Sequence, residues 1–166
     1  MEPMKTRTVD TDHSVVTWDR VIIAVFRFAT TREAVADWER IARSFIAEQP
    51  AGQQICCLSI VEPTSPPPGE HVRRDLSRFY RELVPHMNAA IIVPEGGGFR
   101  AAMVRGVGIA LSTLAPRSLP FTFAESVSAA ANRIGPHLSR SAGGATALVE
   151  VIEQARALVG RTHDSR

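Results

Sequence analysis

Residues 89–114 read AAIIVPEGGGFRAAMVRGVGIALSTL. An apolar, β-prone run over Ala89–Val93 meets the turn Pro94-Glu95-Gly96-Gly97-Gly98, and helical spacing opens at Phe99-Arg100. Strand, glycine turn and helix in that order form the unit of an α/β sheet whose loops gather along one edge.

The alternation recurs on either side. Ser14–Trp18 and Val21–Phe28 are two β-prone runs split by the polar pair Asp19-Arg20, which predicts a hairpin. The second run is almost wholly apolar, as a strand covered on both faces requires. Thr30 with Glu33 predicts a capping box, and Ala34, Val35, Trp38, Ile41, Ala42, Phe45 and Ile46 fall on one helical stripe. Ile55–Val61 is a further strand. It ends in Glu62-Pro63-Thr64-Ser65-Pro66-Pro67-Pro68-Gly69, too rich in proline for helix or sheet. A helix over about 70–84 buries Val72, Leu76, Phe79, Tyr80 and Leu83 and stops at Pro85. A third helix covers about 98–114, with Gly106 and Gly108 inside it. A short strand at 119–123 and a helix over about 125–138 follow. The last helix buries Leu148, Val151, Ile152, Ala155 and Val159.

The predicted architecture is therefore a single α/β domain: a mixed sheet of about five strands, an N-terminal hairpin followed by β-α repeats, covered by about five helices. Residues 1–13 are polar and aperiodic and read as a flexible tail. The domain spans 14–138; a linker and an amphipathic helix packed on the domain occupy 139–160, and 161–166 read as a second tail.

Composition narrows the function classes. The 166 residues carry 45% apolar and 22% charged side chains and a formal net charge of +2, so no global charge calls for a polyanion. No run approaches the roughly 20 apolar residues that span a bilayer. The N-terminus lacks the apolar core of a secretory leader, and the expectation is a cytoplasmic protein without an integral membrane segment. Cys56 and Cys57 are neighbours on one strand, point to opposite faces and are poorly placed to bridge each other. The five histidines are scattered without metal-ligand spacing, so neither metal nor cofactor is expected. Aromatic content is 6%, most of it on core stripes, and no recognition motif for nucleic acid is present.

The order and lengths of the elements resemble the STAS domain, the fold of bacterial anti-sigma-factor antagonists, and in particular a small bacterial STAS-like branch. Three stretches carry the resemblance: Val15–Phe28 leading into the helix at Thr30; Ile55–Val61 with its long loop; and Ala90–Leu138, with the strand Phe121-Thr122-Phe123 and the alanine run Ala129-Ala130-Ala131. It covers about 14–138. The resemblance implies a phospho-switched module that binds a regulatory protein. Classical antagonists carry an Asp-Ser-Ser-Gly-like motif where this chain has Glu62-Pro63-Thr64-Ser65-Pro66; only the hydroxyls of Thr64 and Ser65 stand near the matching place.

The candidate sites follow from chemistry. Gly96, Gly97 and Gly98 before a helix can present backbone N–H groups to an anion, with Arg100 as a charged donor, although Glu95 repels phosphate. Neither the Walker pattern nor the dinucleotide fingerprint is present, and an ordinary flexible βα turn is the favoured reading of these residues. Glu62 and Glu95 both end strands and so fall on the edge where open α/β sheets bind ligands. A carboxylate pair serves acid–base chemistry when one member is held protonated, but no nucleophile is joined to this one. Arg74, Arg78 and Arg81 form a basic helical face for an acidic partner. Asp75 and Glu82 are interleaved and dilute the charge, and a solvated face with local ion pairs is the safer reading of the same spacing. Thr64 and Ser65 are hydroxyls open to modification or simply turn formers. No catalytic set assembles. The leading expectation is a non-enzymatic regulatory or adaptor module that recognises a bacterial regulatory protein through the second helix and the 62–69 and 94–100 loops, with a homodimer left open. The alternative is a binder of a small molecule or lipid head group at the glycine turn, and a small enzyme comes third.

Overall fold

The computed structural model describes residues 3–97, 102, 106 and 121–159. Six strands form one sheet in the order in which they occur: β1 (Lys5–Val9), β2 (His13–Trp18), β3 (Val21–Phe26), β4 (Ile55–Val61), β5 (Met87–Pro94) and β6 (Phe121–Phe123). β1–β2 and β2–β3 pair antiparallel, and β3 through β6 run parallel. Four α-helices lie among the described residues: α1 (Arg32–Glu48), α2 (Glu70–Leu83), α3 (Val127–Ile134) and α4 (Gly144–Leu158). The chain is thus α/β with a mixed sheet.

Each face of the sheet has its own core. Ile22, Ala24, Phe26, Cys57 and Ala90 point toward α1 and α2. Their sequence neighbours Ile23, Val25, Cys56, Leu58 and Ile91 point toward α3 and α4. The strict alternation sends Cys56 to one layer and Cys57 to the other, as a two-residue side-chain period demands. α1 and α2 share a face because crossovers of one hand, stepping in one direction along the sheet, leave their helices on the same side. Trp38 is the hub of that layer, 5.4 Å from the Phe26 ring, 4.8 Å from Phe79 and 5.8 Å from Tyr80. Its indole Nε1 is buried without a hydrogen-bond partner.

Several expectations need correction. The first thirteen residues are not a tail, because they hold β1. That strand is polar at every position but Val9 and has no apolar alternation to betray it. Arg7 fixes it instead: Nε donates to Thr17 Oγ1 at 2.8 Å, Nη1 donates to Glu48 at 2.9 Å, and the guanidinium lies 5.9 Å from the Phe45 ring centroid. The Arg and Lys side chains, with a register shift between Thr6 and Thr8, suit an edge strand that must not pair with another chain. The sheet accordingly has six strands where about five were expected. The cap of α1 is Thr31, not Thr30: its hydroxyl accepts from Ala34 N at 3.1 Å. Glu33 then sits one place earlier than a capping box needs and favours the helix dipole from the first turn. β3 ends at Phe26, so Arg27 and Phe28 leave the sheet. The helix expected at 98–114 falls outside the described residues except for Ala102 and Gly106, both helical and exposed. Residues 119 and 120 and the tail at 161–166 are also outside them.

The hub and the edge strand each give a test. Trp38→Ala is expected to cost about 3–5 kcal/mol in urea unfolding, whereas Trp38→Phe, which also removes the unpaired N–H, should cost much less. For β1, the Arg7 hydrogen bond holds the Glu48 carboxyl below its usual range. A depressed carboxyl stabilises the fold above its ordinary value of about 4.3, and that contribution is lost as pH falls through the lower folded value. Amide protection of residues 5–9 should therefore fall on acidification in the wild type. In Arg7→Gln it should be low and nearly flat with pH; equal acid sensitivity in both would refute the clamp.

Candidate functional site

The parallel strands end in register, with Phe26 beside Val61 and Val61 beside Pro94. The ladder then runs one residue further. Glu62 N donates to Phe26 O and Glu95 N to Val61 O, both at 2.9 Å. Arg27, Glu62 and Glu95 thereby share the carboxyl edge, where open α/β sheets bind ligands.

Two arginines neutralise the two carboxylates. Arg27 grips Glu62 through Nε at 2.6 Å and Nη2 at 3.1 Å, and the same Nη2 donates to the Arg156 carbonyl at 3.2 Å. Arg156, in the last turn of α4, turns its own guanidinium to Glu95, and its Nε lies 3.5 Å from Glu153. Glu62 is the most enclosed of the four, with 11% of its side chain exposed. Its hydrogen bonds outweigh partial burial and push the Arg27 guanidinium further up from its ordinary range. The network therefore gives each strand-end carboxylate its own arginine.

The 62–69 loop folds over this network. Ser65 N returns to Glu62 O at 3.0 Å, closing a turn. Ser65 Oγ donates to Phe28 O at 2.8 Å and Thr64 Oγ1 donates to Arg27 O. From the other side, Asp12 O accepts from Arg27 N at 2.8 Å and Phe28 N at 3.2 Å. Ser65 is buried and Thr64 exposed. Gly96 closes the contact between the two loops. Its φ is +88°, and a Cβ there would stand 3.3 Å from Pro63 Cβ, so both conformation and space call for glycine.

Beside the edge lies an open cleft of about 410 Å³, lined by Glu95, Gly96, Glu125, Ser126, Glu153 and Arg156. Ser126 caps α3 by accepting from Ala129 N at 3.1 Å. Arg133 donates to the Phe123 carbonyl at 2.6 Å on the adjoining rim.

The structure thus brings Thr64, Ser65, Glu62, Glu95 and Gly96 together, with Gly97 exposed next to them. Gly98 and Arg100 lie outside the described residues. Arg74, Arg78 and Arg81 are elsewhere, on the exposed face of α2. Arg74 pairs with Glu70 at 2.6 Å, and Arg78 lies 3.7 Å from both Glu39 and Asp75. Arg32 and Arg43 on α1 reach across to Asp75 and Glu82, so the outer faces of the two helices are laced by ion pairs. Other reactive candidates are quiet. Burial pushes the Cys56 thiol up to about 12 and the Cys57 thiol higher still, far from a thiolate at neutral pH. His13 is buried and stacked on Phe26, with Nδ1 2.8 Å from Asp10 Oδ2 but without hydrogen-bond alignment. Among the described residues no group of three or more His, Cys, Asp or Glu side chains is placed to hold a metal ion.

Sequence reasoning missed Arg27, Arg156 and Phe28. Arg27 had a signal, a lone cation inside an apolar run. Arg156 had none beyond its place on the wet side of the last helix. No protein-family model matches the chain, and no curated protein matches its sequence. Among the described residues no helix is long and apolar enough to cross a membrane.

Glu62→Ala should destabilise the fold by about 2 kcal/mol, since it strands a partly buried guanidinium. Adding Arg27→Ala should recover part of that loss; strict additivity in the double-mutant cycle would show the pair to be uncoupled. Gly96→Ala should cost on the order of 1–2 kcal/mol from its backbone conformation alone.

Proposed function

We propose that the chain is a non-enzymatic, STAS-like module that binds a regulatory protein through the carboxyl edge of its sheet. One observation carries the reading: the loops after β4 and β5 are not independent. Gly96 meets Pro63, the Thr64 and Ser65 hydroxyls are tied to the β3 exit, and the Arg27–Glu62 and Arg156–Glu95 pairs lie beneath. A surface ordered in the free protein loses little conformational entropy when a partner docks. The STAS-like part of the proposal rests on the order of elements from β2 onward. The arginine face of α2 is the secondary surface, since Arg74 and Arg78 already have carboxylate partners.

A second reading has its own support in the cleft beside α3. Its size and polar lining suit a small polar molecule or a head group. A ligand retained through purification and seen by native mass spectrometry would favour that reading.

The test is capture from native lysate by the tagged full chain. Wild type should retain a stoichiometric protein partner. Thr64→Ala with Ser65→Ala, shown folded by its melting curve, should weaken capture roughly tenfold, equivalent to about 1.4 kcal/mol. Arg74, Arg78 and Arg81 changed together to alanine should have the smaller effect. A loss confined to the arginine variant would move the interface to α2, and no partner for the wild type would reject the proposal.

A further inference from the structure

Phe28 is the exposed large hydrophobic side chain among the described residues, at 46% accessibility. A lone exposed apolar residue is ordinary. What sets this one apart is its support. Both of its backbone polar groups are bonded, the N–H to Asp12 O at 3.2 Å and the C=O to Ser65 Oγ at 2.8 Å. The residue before it is held in the same way by Asp12 and Thr64. The ring therefore projects from a backbone fixed on both sides, between the β1–β2 turn and the 62–69 loop. Ala29, Pro63 and Pro66, from the segments that meet there, are also exposed.

Two carboxylates stand on the β1–β2 side of it. Arg27 is taken up by Glu62. Asp12, whose carbonyl holds Phe28, and Asp10, half-exposed, accepting from Asp12 N and His13 N, both at 2.7 Å, and 2.8 Å from His13 Nδ1, have no arginine or lysine partner among the described residues. An aromatic anchor on a fixed backbone, beside two carboxylates, is complementary to an apolar socket with a basic rim. Such anchors carry a large share of interface energy because they fill a desolvated pocket at little conformational cost.

We infer that Phe28 is the anchor of the partner interface and that the partner protein offers an apolar socket rimmed by lysine or arginine. The inference rests on the protein-binding reading above and names the residue and the partner's chemistry.

The experiment places a photo-crosslinking benzoyl-phenylalanine at position 28 of the full chain, and at Thr64 in a parallel sample, in native lysate. The cross-linked partner peptide is then sequenced. The expected result is one partner cross-linked from position 28, at apolar residues flanked by lysine or arginine. Phe28→Ala should weaken its capture at least tenfold with an unchanged melting curve, while Phe28→Leu retains most of it. Asp10→Asn with Asp12→Asn, which keeps the oxygen acceptors, should weaken capture several-fold at low salt and little at high salt. A partner captured equally by Phe28→Ala, or cross-linked only from Thr64, overturns the anchor and leaves the protein-binding reading intact. An acidic or uncharged socket overturns the rim. No partner from either position overturns both.

Discussion

Arg27 is where the sheet, the 62–69 loop and α4 meet. Its side chain grips Glu62 and reaches the Arg156 carbonyl, while its own N–H and C=O are held by Asp12 and Thr64. Three separate segments, the β1–β2 turn, the 62–69 loop and α4, thus converge on one residue. A guanidinium suits the task because its planar fork satisfies a carboxylate through two donors and can still spare one for a third acceptor. The acceptor it chooses, which also accepts from Val159 N at 3.2 Å, is at the C-terminal turn of a helix, the end whose dipole favours positive charge. The carboxyl edge therefore owes its order to electrostatics laid over a backbone ladder, not to apolar packing.

That ladder is fixed by the two cores beneath it. β3 and β4 are buried on both faces along almost their whole length, so a one-residue slip of either would exchange the side chains presented to α1 and α2 with those presented to α3 and α4. Cys56 and Cys57 show the constraint at its smallest scale, since one small side chain faces each layer. With register secured, Arg27, Glu62 and Glu95 have no freedom to fall elsewhere, because each is the first residue beyond a strand whose last pairing is set.

The same logic explains what was legible in the sequence. Strands with apolar faces and helices with apolar stripes announced themselves, and every residue named for the core of α2 is buried there. Glu62 and Glu95 were placed on one edge because strand ends are the most direct consequence of a parallel sheet. β1 was invisible because an edge strand needs no apolar face; one arginine, acting on Thr17, Glu48 and Phe45, holds what periodicity does not mark. The cap of α1 slipped from Thr30 to Thr31 because two adjacent threonines offer the same chemistry and only the path of the chain selects one. Phe28 read as the end of a strand because its apolarity continued the run. The break at Arg27 depends on Asp12, Thr64 and Ser65, which lie far from it in sequence.

The pairing of charges also bears on what the edge is for. A catalytic carboxylate needs a perturbed and available proton, usually from a neighbour of like charge or an apolar wall. Here each strand-end glutamate is paired with an arginine. The loop hydroxyls are committed in the same way, donating to backbone carbonyls and not aimed into the cleft. Such an edge is built to hold a shape. That held shape carries the exposed Phe28 ring on a backbone bonded to Asp12 on one side and Ser65 on the other.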